Sequence, residues 1–244
     1  MAKDHLAELA DALVVDFPLR GEWYAVRSPG SRIPSHGTDV LAQRYAFDLQ
    51  RLGHRRRPHP AGWVRILVAG VPVRECFGWG EPVHSVLDGV VVAAVDGVPE
   101  RTWLHPAREL WHAGTAGVKF QPTAAGVRRL VGNHVIVRSD AVYAAYAHLV
   151  PGSVQVDVGQ HVRRGDVVGR VGSSGNSTAP HLHFQLMDNA DPLVARALPA
   201  VFAGYDVWRH GRWQRAQNSV PTTTERIRVT KSEADDSSDK ESPS

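Results

Sequence analysis

Cysteine is almost missing from this chain. Its 244 residues include one, Cys76, which excludes an intramolecular disulfide framework and a cysteine-rich zinc finger. A small buried hydrophobe is the simplest role for it. Long apolar runs are missing as well. The opening MAKDHLAELADALVVDF is broken by Asp4, Glu8, Asp11 and Asp16, so it reads neither as the apolar region of an export signal nor as a membrane span. The chain as written is therefore expected to be cytoplasmic, or to reach the cell envelope or exterior only from a different start or by another export route. Charge of one sign is also scarce: a net +3 with pI 9.2 gives no field that by itself argues for nucleic acid. No internal repeat is present.

What the chain does have is β-branched residues, glycine and turn formers in alternation. The length suits one large mainly β domain flanked by tails. We divide it into an N-terminal extension over 1–20, a folded domain over 21–216, and a polar tail over 217–244. The tail has almost no aromatic residues and too little apolar surface to offset ordering entropy, so it is expected to be disordered. Leu6, Leu9 and Leu13 fall at helical spacing and predict a short amphipathic helix. A strand is expected around Trp23 to Val26, followed by a Pro/Gly/Ser loop that presents His36. The stretch 51–62 is a basic loop and reads as a solvated turn. WVRILVAG, 63–70, reads as a buried strand, and 85–100 as strand, turn and strand with Asp-Gly reversals. Residues 101–132, with Trp103 and Trp111, read as an irregular excursion that walls a groove. NHVIVRSDAVYAAYAHL predicts a hairpin turning at Ser139-Asp140 that carries Tyr146 and His148 on one face. Residues 154–172 read as a small antiparallel unit, and the segment after Asp188 is open between helix and strand.

Two features suggest chemistry. In GRVGSSGNSTAPHLHFQLMD, residues 169–188, a loop of turn formers delivers His181 and His183 to an extended run. Side chains alternate along a strand, so both imidazoles share one face and Leu182 and Phe184 take the other. Asp48, inside Tyr45-Ala46-Phe47-Asp48-Leu49, is a carboxylate in an apolar run; burial without a partner would be costly, and a metal or an ion pair would supply one. With His36 and His148 these make five nitrogen and oxygen donors without a thiolate. Such a set suits a catalytic zinc, which takes about three protein ligands and leaves a position open. His84, His134 and His161 have no assigned task, and Tyr146 either packs in the core or lines the cleft.

SHGTDVLAQRYAFDL, YAHL and GQHVRRGDVVGRVGSSGNSTAPHLHF together resemble the signature series of the lysostaphin-like, LytM-type zinc metallopeptidases, over roughly Gly21 to Met187. The resemblance implies a mainly β fold of antiparallel sheets forming a peptidase groove, related to the barrel-sandwich hybrids, with short helices toward the two ends. It implies one zinc ion held by His36, Asp48 and His183, with His148 and His181 as the catalytic pair flanking the attacking water. It further implies a peptidoglycan peptide as substrate, with no nucleic acid partner and no membrane span. Oligomeric state is not legible. The family usually spaces its first two ligands as H-x-x-x-D, whereas here Asp39 follows His36 at an offset of three and Asp48 follows later. This fits a variant branch with an insertion. Asp48 is favoured for its Gln-Arg-Tyr-Ala-Phe-Asp context, with Asp39 as the alternative. The rival classes are a catalytically inactive relative that regulates or scaffolds cell-wall hydrolases, and a phosphotransfer or lipoyl-type carrier, which lacks the lysine it would need at a hairpin tip.

Overall fold

The computed structural model describes residues 8–53, 56–105, 121–223 and 225–230. Its strands in chain order are β1 (Leu13–Val15), β2 (Gly21–Arg27), β3 (Phe47–Gln50), β4 (Val71–Pro72), β5 (Pro82–His84), β6 (Gly89–Val95), β7 (Trp103–Leu104) and β8 (Asn133–Ser139). There follow β9 (Val142–Leu149), β10 (His161–Val162), β11 (Val167–Arg170), β12 (Leu182–Met187), β13 (Ala197–Leu198), β14 (Ala200–Arg209), β15 (Arg212–Ser219) and β16 (Arg226–Val229). The fold is mainly β. Among the described residues the principal sheet has 12 strands, with the path β1-β14-β16-β2-β3-β12-β9-β8-β6-β10 and with β13 and β15 paired to β12 and β14. Neighbours are antiparallel except for the parallel β1–β14 pair. No helix among the described residues is long and apolar enough to cross a membrane.

Alternation of side chains builds the core. Phe47 and Leu49 of β3, Tyr146 of β9, and Leu182, Phe184 and Leu186 of β12 turn to one face and are essentially solvent-free, together with Trp23, Phe202 and Tyr205. Phe47, Phe184 and Phe202 form a contiguous aromatic cluster with ring centroids 4.9–6.2 Å apart, in the separation range where such rings attract. The opposite face of β3, β9 and β12 is left for the polar residues described below.

Several expectations are corrected by the structure. The N-terminal segment is part of the domain: Leu13 lies in β1, and Val15, Phe17 and Leu19 enter the main core. Leu13-Val14-Val15 is β-branched and apolar, and an open edge of β14 is there to receive it. Leu6 lies outside the described residues. Residues 63–70 contain a helix, α1 (Trp63–Val68), where a strand was expected. A short apolar run has no periodicity that separates the two, and Gly70, at φ +71°, ends the helix by donating to Ile66 O. The second helix, α2 (Ala124–Val131), is capped by Thr123, whose hydroxyl accepts from Gly126 N. These two helices lie in mid-chain, and Glu8, where the described residues begin, is helical as well.

The chain also stays ordered beyond position 217. β15 pairs with β14, and β16 fits between β14 and β2 with Ile227 fully buried. Composition missed this because a strand in a large sheet needs only one inward apolar residue when its neighbours supply the rest of the core. The segment after Asp188 is resolved as strands, β13 and β14. The strand pairs expected in 85–100 and in 154–172 do not form internally; β5 pairs β11, and both β8 and β10 pair β6. The β8–β9 hairpin turns at Asp140-Ala141, one residue later than expected, with Asp140 in the left-handed region at φ +51°. In the basic stretch, Arg51 pairs with Glu81 and stacks on Trp23, and Arg56 stacks on Tyr24. Trp111 and residues 231–244 lie outside the described residues.

Tyr146 is a core residue, and its hydroxyl accepts a hydrogen bond from Val86 N at 2.8 Å. Tyr146→Phe would leave that buried N–H without a partner, so we expect a loss of about 1–3 kcal/mol in chemical denaturation.

Candidate metal centre and cleft

The site is built where β3, β12 and β9 run side by side. Asp48 stands directly opposite His183 in the β3–β12 ladder, and Ala147 of β9 stands opposite His183 on the other flank. Because Phe47 and Leu49 occupy the core face, the Asp48 carboxylate is forced onto the His181/His183 face. His36 arrives from the loop between β2 and β3. That loop closes on itself through Ser35 N donating to Arg44 O at 2.9 Å and Ser35 Oγ donating to Gln43 O at 3.1 Å. The excursion explains the long His36–Asp48 spacing. Asp39 sits on its outer side, largely exposed and paired with Arg44 at 3.0 Å.

His148 is placed by a departure from strand geometry. Alternation would put it on the core face with Tyr146, as expected from the sequence. Instead β9 has one residue more than β8 between the pairs Val135↔Tyr146 and Asn133↔Leu149, and His148 takes φ +63°. A β-bulge with a left-handed residue re-aims a side chain at a small cost in strain. Here it swings the imidazole to the polar face, within 4.8 Å of the His181 ring and 5.9 Å of the His183 ring, centroid to centroid. The turn-rich loop then locks the histidines. Ser174 Oγ donates to Leu149 O, Gly172 N donates to His148 O, and Asn176 N donates to Leu130 O. A Cβ on Gly175 (φ +71°) would lie 2.6 Å from Gly132 N and Leu130 O, so only glycine lets the loop meet the end of α2 this closely.

The hydrogen bonds determine which ring nitrogens carry protons. His148 Nδ1 donates to Ser174 O at 2.9 Å and His181 Nδ1 to Ala179 O at 2.8 Å, so in both neutral rings Nε2 keeps the lone pair. Ser35 Oγ spends its proton on Gln43 O and therefore accepts from His36 Nδ1 at 3.0 Å. Gln185 Nε2 donates to Leu41 O at 2.9 Å, which leaves Gln185 Oε1 to accept from His183 Nε2 at 2.9 Å. The free lone pairs, His36 Nε2 and His183 Nδ1, consequently point at one carboxylate: His36 Nε2 is 3.0 Å from Asp48 Oδ2, and His183 Nδ1 is 2.9 Å from Asp48 Oδ1. His36 Nε2 is buried and makes no hydrogen bond. The three donor atoms lie within 4.8 Å of one another. Acceptors crowded in this way repel unless a proton or a cation lies among them, and the two-imidazole, one-carboxylate set with ordered outer partners fits zinc.

Electrostatics follow from burial. Burial alone would raise the Asp48 carboxyl, but the three imidazoles around it, His181, His183 and His36, favour its charged form and hold it well below the usual carboxylate range. Burial, with repulsion from His181 and His183, pushes His148 well down; burial also lowers His36 against the pull of Asp48. Burial opposes protonation of His183 too, yet the pull of the Asp48 carboxylate on the protonated ring wins and raises it. Depressed imidazoles bind protons less tightly folded than unfolded. They stabilise the fold above the ordinary value near 6.5, and lose that contribution as pH falls. Asp48 acts in the same direction at lower pH, whereas the raised His183 contributes below 6.5 and fades as pH rises through its folded value. Within the histidine range two depressed imidazoles stand against one raised, which predicts that the thermal midpoint of metal-free protein falls between about pH 7 and about pH 5, and that His148→Gln flattens the decline. A midpoint that rises on acidification contradicts this assignment.

The five residues singled out in the sequence thus meet at one place, and they open onto a cleft of about 620 Å³. Its lining adds Arg27, Thr38, Val40, Leu41, Gln43, Leu130, Val131, Asn176 and Thr178. Leu130 and Val131 belong to the 101–132 excursion expected to wall a groove. Sequence reasoning missed Gln185, although H-x-H-x-Q alternation puts it on the same face. It also missed Ser35 and Arg27. The three histidines left without a task by the sequence stay outside: His84 is bonded to Gly165 O, His134 to Gly132 O, and His161 is exposed on β10. Cys76 is buried, and burial pushes its thiol up to about 12, which suits a packing residue.

A mainly β fold that exposes a buried His-Asp-His cluster on a cleft, with two further imidazoles facing it, has the donor set and open side of a mononuclear catalytic metal centre. Comparison with known proteins finds similarity to peptidases. Residues 113–194 match the model of Peptidase family M23. Over 112 residues the chain is 35% identical to the DD-carboxypeptidase/endopeptidase Mpg of Neisseria meningitidis, covering 39% of this chain and 25% of that protein. Over 61 residues it is 44% identical to lysostaphin of Staphylococcus simulans, covering 24% of this chain and 12% of that protein. The match to these curated relatives therefore spans a quarter of their length or less. Among solved structures, the catalytic domain of lysostaphin from Staphylococcus simulans is similar at 22% identity and TM-score 0.32, covering 57% of this chain and 82% of that one. A putative peptidase M23 from Pseudomonas aeruginosa is similar at 17% identity and TM-score 0.38, covering 80% and 55%. Over residues 113–194 the chain is thus similar to the peptidases of family M23, and in part to lysostaphin.

Proposed function

We propose that this chain is a zinc-dependent endopeptidase that cleaves peptide bonds in peptidoglycan stem or cross-bridge peptides. The observation carrying this reading is the convergence of two imidazole lone pairs on one buried carboxylate at the floor of an open cleft. The name of the Neisseria relative, a DD-carboxypeptidase/endopeptidase, supports it. In this reading His36 Nε2, the Asp48 carboxylate and His183 Nδ1 hold the ion. Zinc would supply Lewis acidity toward the scissile carbonyl and bring the pKa of water down toward about 7.

The chain's own groups do the rest. His148, kept neutral by burial and fixed through Nδ1, offers Nε2 as the proton acceptor. His181, fixed in the same way, faces it across 4.8 Å and donates to the developing oxyanion once it carries a proton. Val40, Leu41, Leu130 and Val131 give the cleft apolar surface for a peptide, while Thr38, Gln43, Asn176 and Thr178 supply hydrogen-bonding groups for its backbone. That substrate places the working protein at the cell envelope.

The test is incubation of zinc-loaded protein with purified sacculi, with and without a chelator, followed by mass identification of released fragments. Chelator-sensitive release of fragments with new peptide termini is expected. Intact sacculi in the presence of stoichiometric zinc would instead favour a non-hydrolytic role for the centre.

A further inference from the structure

We infer that Arg27 is the substrate-selecting residue of this cleft, and that it binds a carboxylate on the peptide beside the scissile bond. The inference rests on the hydrolase reading above and adds to it the chemistry of the group recognised. Arg27 ends β2, and it reaches the cleft by the same device that places His148. Between the pairs Ala25↔Leu49 and Arg27↔Asp48, β2 carries one extra residue, Val26. Without that bulge Arg27 would share a face with Ala25, which is fully buried in the core. With it, Arg27 stands opposite Asp48 on the polar face.

The guanidinium is then underused. Its Nε lies 3.5 Å from Asp48 Oδ2, its side chain is 55% exposed, and it makes no hydrogen bond to any described residue. Five donors in a planar fork therefore face the cleft. Among the described lining residues it is the lone lysine or arginine. A cation held by Asp48 would occupy the one carboxylate now near the guanidinium and leave its positive charge to whatever enters. A planar, bidentate acceptor is the natural partner of that fork. A peptide can present one in two ways: as the free α-carboxylate of the residue that is released, or as a side-chain carboxylate on that residue.

The test uses full-length protein and short acetylated peptides whose scissile amide is N-methylated, so that binding is read without turnover. One peptide ends in a free carboxylate immediately after that bond. A second is C-terminally amidated but carries a side-chain carboxylate there, and a third is amidated with a neutral side chain. Affinities are measured by NMR or calorimetry for wild type, Arg27→Gln and Arg27→Lys. In wild type, one of the two carboxylate peptides is expected to bind about tenfold more tightly than the neutral one, as a charge-assisted pair implies. Which one does so identifies the source of the carboxylate. Arg27→Gln should erase the preference, and Arg27→Lys should keep part of it. Equal binding of all three peptides by wild type overturns the proposal, as does a preference that survives in Arg27→Gln. Failure of the hydrolase reading would look different: the Arg27-dependent preference would stand while the unmethylated peptides went uncleaved.

Discussion

Asp48→Asn is expected to purify with less than about a tenth of the zinc of the wild type, and with no measurable peptide hydrolysis, while Asp39→Ala retains both. The two aspartates differ in surroundings more than in sequence context. Asp48 is buried, and two imidazole lone pairs reach its oxygens at 3.0 and 2.9 Å. Asp39 is exposed and already paired with Arg44. Asparagine keeps the shape of Asp48 but removes the negative charge that a dication needs in a desolvated site, so the change separates charge from packing. Losing one of three protein ligands from a centre of this kind removes most of its binding free energy. Metal analysis after dialysis reads the result directly. Full zinc retention in Asp48→Asn, or loss in Asp39→Ala, would reverse the ligand assignment.

His148→Ala and His181→Ala are expected to behave in the opposite way, each binding zinc stoichiometrically and each turning over about 10²–10⁴-fold more slowly than wild type, the usual worth of a positioned proton-transfer group. Both rings point Nε2 into the cleft and spend Nδ1 on a backbone carbonyl, so neither supplies an atom to the three-donor cluster. Single-turnover kinetics beside metal analysis distinguish the two roles. If either variant lost its zinc, that histidine would have to be counted as a ligand, and the division of labour proposed here would be wrong.

The legible parts of the site were those where side-chain alternation holds. Asp48 was readable as an anomaly because Phe47 and Leu49 fix the core face of β3, and His181 and His183 because β12 is regular through Leu182, Phe184 and Leu186. The illegible parts lie where a ladder is interrupted. His148 was placed on the face of Tyr146 because period-two reasoning cannot see the extra residue in β9, and Arg27 was passed over because Val26 shifts β2 in the same way. Both bulges border the centre, where local rules give way to the demands of a site. Elsewhere the misses were tertiary. Residues 63–70 form a helix because Gly70 can cap it, and 226–229 form a strand because β14 and β2 leave a slot for Ile227. Neither opportunity is written in the segment itself.

The central claim is that His36, Asp48 and His183 bind a single zinc ion. An anomalous difference map collected at the zinc absorption edge, from crystals of full-length protein equilibrated with zinc, tests it most directly. One peak bonded to His36 Nε2, the Asp48 carboxylate and His183 Nδ1 is predicted. A map without a peak there, or with the ion held by other side chains, would contradict it.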